Sequence, residues 1–273
     1  DLHSFPTRRS SDLVVVLGED AVRALRNRRI AIFGVGGVGG HAMEALARTG
    51  IGTLDLIDSD TISVSNLNRQ IIATRENLGR LKVDVAKERI RSIDPETEVN
   101  AIALFYLPGT AVKIPFEKYD YIVDSTDTVA AKVDLVLQAE KYGIPIISAM
   151  GCGNRMSPEK LVCTDIYKTE TDPLARIMRK ELSARDVVAL KVVYSTETPI
   201  RPARDSACDM EDSFEANSKE ATCESRESKE YSEPMPGGTR FKRMPPGSNA
   251  FVPGAAGLLI ASQVIKDLTG FEE

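Results

Sequence analysis

Residues 29–48 read RIAIFGVGGVGGHAMEALAR. The first five are an apolar run of strand length, the next seven a glycine-rich turn, and the remainder carries apolar residues at helical spacing. In a strand–turn–helix unit each glycine of Gly34-x-Gly36-x-x-Gly39 has its own task. The first permits a tight turn, the second lets a phosphate approach the backbone, and the third lets the helix pack on the strand. The helix N-terminus adds unpaired N–H groups and partial positive charge, which suits an anionic ligand. A plain glycine turn is the competing reading; the strand and helix on its flanks favour a nucleotide.

The alternation continues outward from this unit. Thr53–Ile57 is a second apolar run, ending on Asp58. Gly79–Ile93 has helical spacing, with Leu81, Val85, Ala86 and Ile90 on one face, and stops before Pro95. Val99–Phe105 and Tyr121–Val123 read as strands, the latter closed by the polar turn DSTD at residues 124–127. Thr128–Tyr142 is a helix ended by Gly143, and Ile144–Ser148 is a fifth strand. Strands alternating with helices predict an α/β fold, a Rossmann-like, doubly wound and mostly parallel sheet. Beyond Gly151 follows a C-terminal strand/helix extension: a strand at Leu161–Ile166, a helix at Pro173–Leu182, a strand at Lys191–Ser195 and a closing helix over Ala255–Leu268.

Composition sets the boundaries. Asp205–Glu233 holds ten acidic and three basic side chains, a net of −7 in a chain whose total is −5, so the rest is slightly basic. Pro234–Gly247 is rich in Pro and Gly, with Arg240, Lys242 and Arg243. Residues 205–247 therefore read as a flexible insertion into one domain formed by 14–204 and 248–273. The first 13 residues, DLHSFPTRRSSDL, lack periodicity and the layout of a signal peptide, and read as a disordered tail or an appended scar. No run of 18 apolar residues occurs; Ala250–Ile265, interrupted by Pro253, Gly254 and Gly257, reads as a buried helix with its leading loop. None of the four cysteines, at positions 152, 163, 208 and 223, forms a CxxC pair. A soluble, cytoplasmic protein is expected.

An NAD-dependent dehydrogenase would carry the same glycine turn, with Asp58 accepting from ribose hydroxyls. The segment SNLNRQ argues for a triphosphate instead: Asn66, Arg69 and Gln70 lie just past the second strand, and Lys82 follows at the next helix. Arg forks onto phosphate oxygens and Lys acts as a point charge. In isolation, Arg69 would be read as a surface ion-pair partner and Lys82 as a solvated helix lysine. Asp124 and Asp127 bracket DSTD at the carboxyl end of a strand, where a carboxylate can share Mg²⁺ with substrate phosphates. Helix capping is the alternative, and we expect Asp127 at the metal with Asp124 structural.

GVGGVGG, IDSDTISVSNLNRQ, the Gly79–Lys82 segment and DSTD, in this order and spacing, resemble the ubiquitin-activating-enzyme-like adenylating family. The resemblance implies ATP and Mg²⁺ as ligands. It implies a nucleotide cradle of Gly34, Gly36, Gly37, Gly39, Asp58, Asp60, Asn66, Arg69, Gln70 and Lys82, with Asp127 on the metal. It assigns Arg69, Lys82 and Asp127 the catalytic roles, and it implies a homodimer. Members that activate sulfur carriers usually hold a structural zinc with two CxxC pairs, which this chain lacks. The later segments KLVCTDIYKTETDPLARIMRKEL, VVYSTE and GSNAFVPGAAGLLIASQVIKDL resemble the tRNA threonylcarbamoyladenosine dehydratases. These adenylate a carboxylate on a modified tRNA adenosine and close it into a ring. The family also places an Arg, shortly before the segment here at Leu17–Val22, in the partner's ATP site; Asp12 stands at that position.

The partner implied is therefore a tRNA bearing threonylcarbamoyladenosine, with no membrane. Arg176, Arg179, Lys180, Arg185 and Lys191 could meet its phosphates, with Arg240, Lys242 and Arg243. A solvated helix face is the alternative for them. A sulfur-relay protein is a further possible partner, in which case a cysteine would carry a thioester or persulfide. The alternative activity is an adenylyltransferase acting on the C-terminal carboxylate of a sulfur-carrier or ubiquitin-like protein.

Overall fold

The structure, a computed structural model, describes residues 8–200 and 247–271. The chain divides into two compact units, Asp1–Pro199 with Ser248–Glu273, and Ile200–Gly247. The expected insertion, 205–247, lies outside the described residues except for Gly247.

The first unit opens with helices α1 (Arg8–Leu17) and α2 (Glu19–Leu25), followed by β1 (Arg29–Phe33), α3 (Gly39–Arg48) and β2 (Thr53–Ile57). Then come α4 (Lys82–Ile93), β3 (Glu98–Ile102), β4 (Tyr121–Asp124), α5 (Val129–Tyr142) and β5 (Ile146–Ala149). The extension comprises β6 (Leu161–Asp165), α6 (Pro173–Ser183), β7 (Lys191–Ser195) and α7 (Phe251–Thr269). Among the described residues the seven strands form one sheet in the order β3-β2-β1-β4-β5-β7-β6. All neighbours are parallel except β6, which runs antiparallel to β7. A parallel sheet buries both faces, so its strands are apolar throughout. Ile30, Ile32, Leu54, Leu56 and Val123 face a core completed by α3, α4 and α7. Ala31, Phe33 and Ile122 face the other, with Phe116, Tyr119, Leu135 and Ala139. In register, Phe33 stands beside Ile57 on one side and Asp124 on the other. The strand ends that carry the glycine turn, Asp58 and DSTD are therefore neighbours.

Several boundaries differ from the sequence reading. Helix α1 begins at Arg8, inside the expected tail; Leu17 packs against the core, and Asp12 is exposed on this helix. Helix α4 starts at Lys82, three residues after Gly79. The Gly79 and Lys82 amides instead donate to the carbonyls of Ile62 and Asp60, folding the segment back over the end of β2. Strand β3 stops at Ile102, where the Leu104 amide turns back to the Ile102 carbonyl. Strand β5 starts after Pro145, which has no N–H to give the ladder.

Helix α7 begins at Phe251, four residues before the expected Ala255. Asn249 Oδ1 accepts from the amides of Phe251 and Val252, and Pro253 lies in the first turn, where a missing N–H costs nothing. The leading loop expected there is thus helix. By length and composition α7 could cross a membrane, yet Ala256, Ile260 and Val264 are fully buried against the sheet. Its approach to α3 is close: a Cβ on Gly257 would lie 2.8 Å from His41 Cβ and 2.9 Å from Ala42 N. Gly257→Val should cost about 2–3 kcal/mol through overpacking. A thermal melt should register a loss of roughly 4–10 °C; an unchanged midpoint would mean the two helices do not pack this way.

Candidate functional site

Two glycines of the turn, Gly34 and Gly39, lie where contacts leave no room for a side chain. Gly34 has φ +87°, and a Cβ there would meet the Ser125 carbonyl oxygen at 2.6 Å. A Cβ on Gly39 would overlap the Gly34 carbonyl, so α3 starts directly against the end of β1. The tip of the turn lies between Pro253 and the Arg69 stem, 3.2 and 3.5 Å from where a Cβ on Gly37 would be. Gln70 lies beside Gly36, its Nε2 being 3.8 Å from the corresponding point.

Asp58 closes the next strand end. Its Oδ2 accepts from the Val35 amide at 2.8 Å and its Oδ1 from the Asp60 amide at 2.8 Å. The carboxylate thus braces the glycine turn, and each oxygen keeps a lone pair for another donor. Lys82, 6% exposed, donates to Asp60 Oδ2 at 2.7 Å and lies 4.0 Å from Asp58 Oδ2. It is the first residue of α4 and is held at the site, not turned to solvent as an ordinary helix lysine is. Asn66 is buried, with Oδ1 accepting from the Ser63 amide. This bond shapes the loop and engages only the carboxamide oxygen. Arg69 donates through Nη1 to Ser65 O at 2.7 Å and Asn68 Oδ1 at 3.0 Å. Its Nη2 has no partner among the described residues. Gln70 Oε1 is buried without a hydrogen bond, an acceptor left over beside the glycine turn.

The third strand end separates the two acids of DSTD. Asp124 is fully buried and bonded to Lys132, Ser148 and Thr126. It is structural, as expected, though its partner is a buried lysine and not a helix N-terminus. Asp127 is exposed and accepts no hydrogen bond from the described residues. Ser125 Oγ donates to Phe33 O at 2.9 Å and Gly34 O at 2.8 Å, fastening DSTD to the glycine turn. Ser125, Lys132 and Ser148 escaped the sequence reading. Ser125 lies inside a quoted motif, but nothing in the spacing marks Lys132 or Ser148.

The strand ends of β1, β2 and β4 thus gather the glycine turn, Asp58, Lys82 and Asp127, with Arg69 and Gln70 at the turn itself. A helix N-terminus, an orphaned acceptor at Gln70 and a cation at Lys82 fit a nucleoside phosphate. A separate cleft of about 480 Å³, lined in part by Phe116, Gln138, Lys141 and Tyr142, holds none of these residues. It lies at the far end of α5, roughly 20 Å from Asp127 along the helix.

The profile of the ThiF family matches residues 8–273. The chain belongs to the ThiF family. A tRNA threonylcarbamoyladenosine dehydratase of Bacillus subtilis is 36% identical over 255 residues, covering 93% of this ThiF chain and 92% of the relative. That of Escherichia coli is 37% identical over 202 residues, covering 71% and 75%. The crystal structure of the E. coli tRNA N6-threonylcarbamoyladenosine dehydratase TcdA in complex with ATP superposes with a TM-score of 0.78 at 29% identity, covering 96% of this chain and 94% of that one. The complex with AMP superposes with the same TM-score. An adenylyltransferase and sulfurtransferase of Vanderwaltozyma polyspora is 36% identical over 48% of this chain and 30% of its own.

Other expected residues divide clearly in this ThiF chain. Arg179 is bound to Thr169, Arg185 to Glu181 and Lys191 to Asp267, whereas Arg176 and Lys180 are exposed on α6. Arg240, Lys242, Arg243, Cys208 and Cys223 lie outside the described residues. Burial and the nearby Asp172 carboxylate push the Cys152 thiol up to about 12 from its ordinary value near 9. Burial raises Cys163 as well. A thiol held protonated is a poor nucleophile. The folded value exceeds the unfolded one, so the linked stability is present below pH 9 and is lost as pH rises towards 12. Iodoacetamide at pH 9 should label Cys152 at least about tenfold more slowly in the native than in the unfolded chain. Peptide mass mapping reads this, and equal rates would show an open thiolate.

Proposed function

We propose that this chain uses ATP to adenylate the threonyl carboxylate of threonylcarbamoyladenosine in tRNA, and closes the modification into a ring. The observation that carries the reading is the assembly of the glycine turn, Lys82 and Asp127 at adjoining strand ends. It stands in a chain that aligns along nearly its whole length with a threonylcarbamoyladenosine dehydratase. A carboxylate is a poor electrophile because its leaving group would be oxide. Attack of its oxygen on the α-phosphorus of ATP releases pyrophosphate and makes AMP the leaving group. The carbamoyl group of the same side chain then attacks the activated carbonyl and AMP departs. One carboxylate oxygen leaves with AMP and the carbamoyl group gives up an N–H proton, so that relative to the free acid the elements of water are lost. The ring closure is intramolecular, and proximity replaces a protein nucleophile. This agrees with the protonated state of Cys152.

The chain's own residues bind and balance charge. The glycine turn and the N-terminus of α3 receive phosphate oxygens, Asp58 takes ribose hydroxyls, and Gln70 Oε1 gains a donor. Lys82 exchanges Asp60 for phosphate, and Arg69 supplies its unengaged edge, so both stabilise charge on the departing pyrophosphate. Asp127 would hold Mg²⁺, which would neutralise phosphate charge when bound. Among the described residues no cluster of three or more acidic, His or Cys side chains forms a metal cage. A single carboxylate shared with phosphates suits Mg²⁺. Arg176 and Lys180 are the exposed cations offered to tRNA. A homodimer in the cytoplasm completes the proposal.

Incubation with ATP, Mg²⁺ and tRNA bearing threonylcarbamoyladenosine should remove water from that nucleoside, read by mass spectrometry. Lys82→Ala and Asp127→Ala should each lower turnover by about 100-fold or more. No mass change with the unaltered chain would sink the reading. ATP–pyrophosphate exchange that depends on a small protein ending in Gly-Gly would transfer it to the carrier-activating alternative.

A further inference from the structure

Lys132 is the least expected charge in the protein. It lies on α5 with no solvent exposure, and each of its three protons has an acceptor. Nζ donates to Asp124 Oδ2 at 3.0 Å, to Ser148 Oγ at 3.3 Å and to the Ala149 carbonyl at 2.7 Å. One ammonium therefore joins the ends of β4 and β5 to the helix that follows DSTD. Burying an ion pair contributes little net stability compared with an apolar pair of the same shape. What such a pair supplies is a defined arrangement of the groups it joins.

We propose that Lys132 is a positioning residue for Asp127. The chain of contacts is short. Asp124, held by Lys132, accepts from the Thr126 amide at 3.1 Å and the Thr126 hydroxyl at 2.8 Å through its other oxygen. Ser125, between them, is pinned to Phe33 and Gly34 on the phosphate side. DSTD is thus clamped on one edge to the glycine turn and on the other, through Asp124 and Lys132, to β5. Asp127 has no hydrogen bond of its own among the described residues. Its carboxylate stands where the backbone of this turn puts it, one residue before the N-cap of α5. Lys132 lies five positions on in the same helix and anchors that helix to the sheet. Without the anchor, α5 and DSTD can shift relative to the glycine turn. The separation of Asp127 from the bound phosphates then changes, while the adenosine side of the site is untouched.

The inference rests on the assignment of Asp127 to Mg²⁺, and the test separates the two. The full chain is assayed with ATP and modified tRNA while Mg²⁺ is varied, and AMP binding is measured without metal. Lys132→Met should raise the half-saturating Mg²⁺ concentration and lower kcat, each by about tenfold or more, with AMP affinity within about twofold of the unaltered chain. Lys132→Arg should recover part of the loss. Thr126→Val, which cuts the side-chain link but buries no lone charge, should move Mg²⁺ dependence the same way by a smaller factor. Lys141→Met, an exposed lysine on the same helix, should change nothing. Lys132→Met with unaltered Mg²⁺ dependence and kcat overturns the proposal, as does an equal loss of AMP binding, which marks a structural role only. If Lys132→Met does not fold, unaltered Mg²⁺ dependence in both Thr126→Val and Ser148→Ala overturns it. Asp127→Ala with full activity and unaltered Mg²⁺ dependence overturns the assignment of the metal itself, and the positioning role falls with it.

Discussion

The contact between Gly39 and the Gly34 carbonyl, with Ser125 pressed against Gly34, is the constraint on which the site depends. No side chain fits at either glycine. Because none is present, the start of α3 packs directly against the end of β1. The same closeness lets Ser125 reach two carbonyls of the preceding segment, so the end of β4 is tied to the turn. Asp58 adds the third tie through the Val35 amide. Three strand ends are thereby fastened, by a close backbone approach and by the Ser125 and Asp58 side chains, before any ligand is considered.

Charge is arranged around this frame in two ways. Lys82 and Arg69 are engaged by groups that a phosphate can replace: the half-open Asp60 carboxylate, a carbonyl and an amide oxygen. Their pairing in the free protein limits the cost of holding cations together, and exchange for phosphate needs no large rearrangement. Lys132 and Asp124 are the opposite case. Both are fully buried, neither can be reached, and their attraction acts on backbone geometry. The exposed Asp127 borrows its position from them.

The helical extension contributes in the same sense. Asn249 caps α7 and donates through its amide to the Arg155 carbonyl, while Asn68 donates to the Ser248 carbonyl. The start of α7 is therefore stitched both to the loop after β5 and to the segment that carries Arg69. Pro253 then closes against the tip of the glycine turn. A chain segment far away in sequence thus packs against the glycine turn.

The parallel α/β class and the strand–glycine turn–helix unit were legible in consecutive residues. A strand, a glycine turn and a helix are local patterns, and each leaves its period in about twenty positions. Arg69, Lys82 and Asp127 were singled out only as a set, through resemblance of four spaced motifs, and their roles remain part of the proposal. The limits of α4 and α7 were misread because their starts are decided by partners elsewhere: the Asp60 carbonyl for Lys82 and the Asn249 side chain for Phe251. Lys132 could not be read at all. A lysine in a helical run ordinarily faces water, and nothing local distinguishes this one. Only the pairing of β4 with β5, and the packing of α5 across them, brings its ammonium between Asp124 and Ser148. Burial is a property of the assembled sheet, and it turns an ordinary surface residue into the anchor of the site.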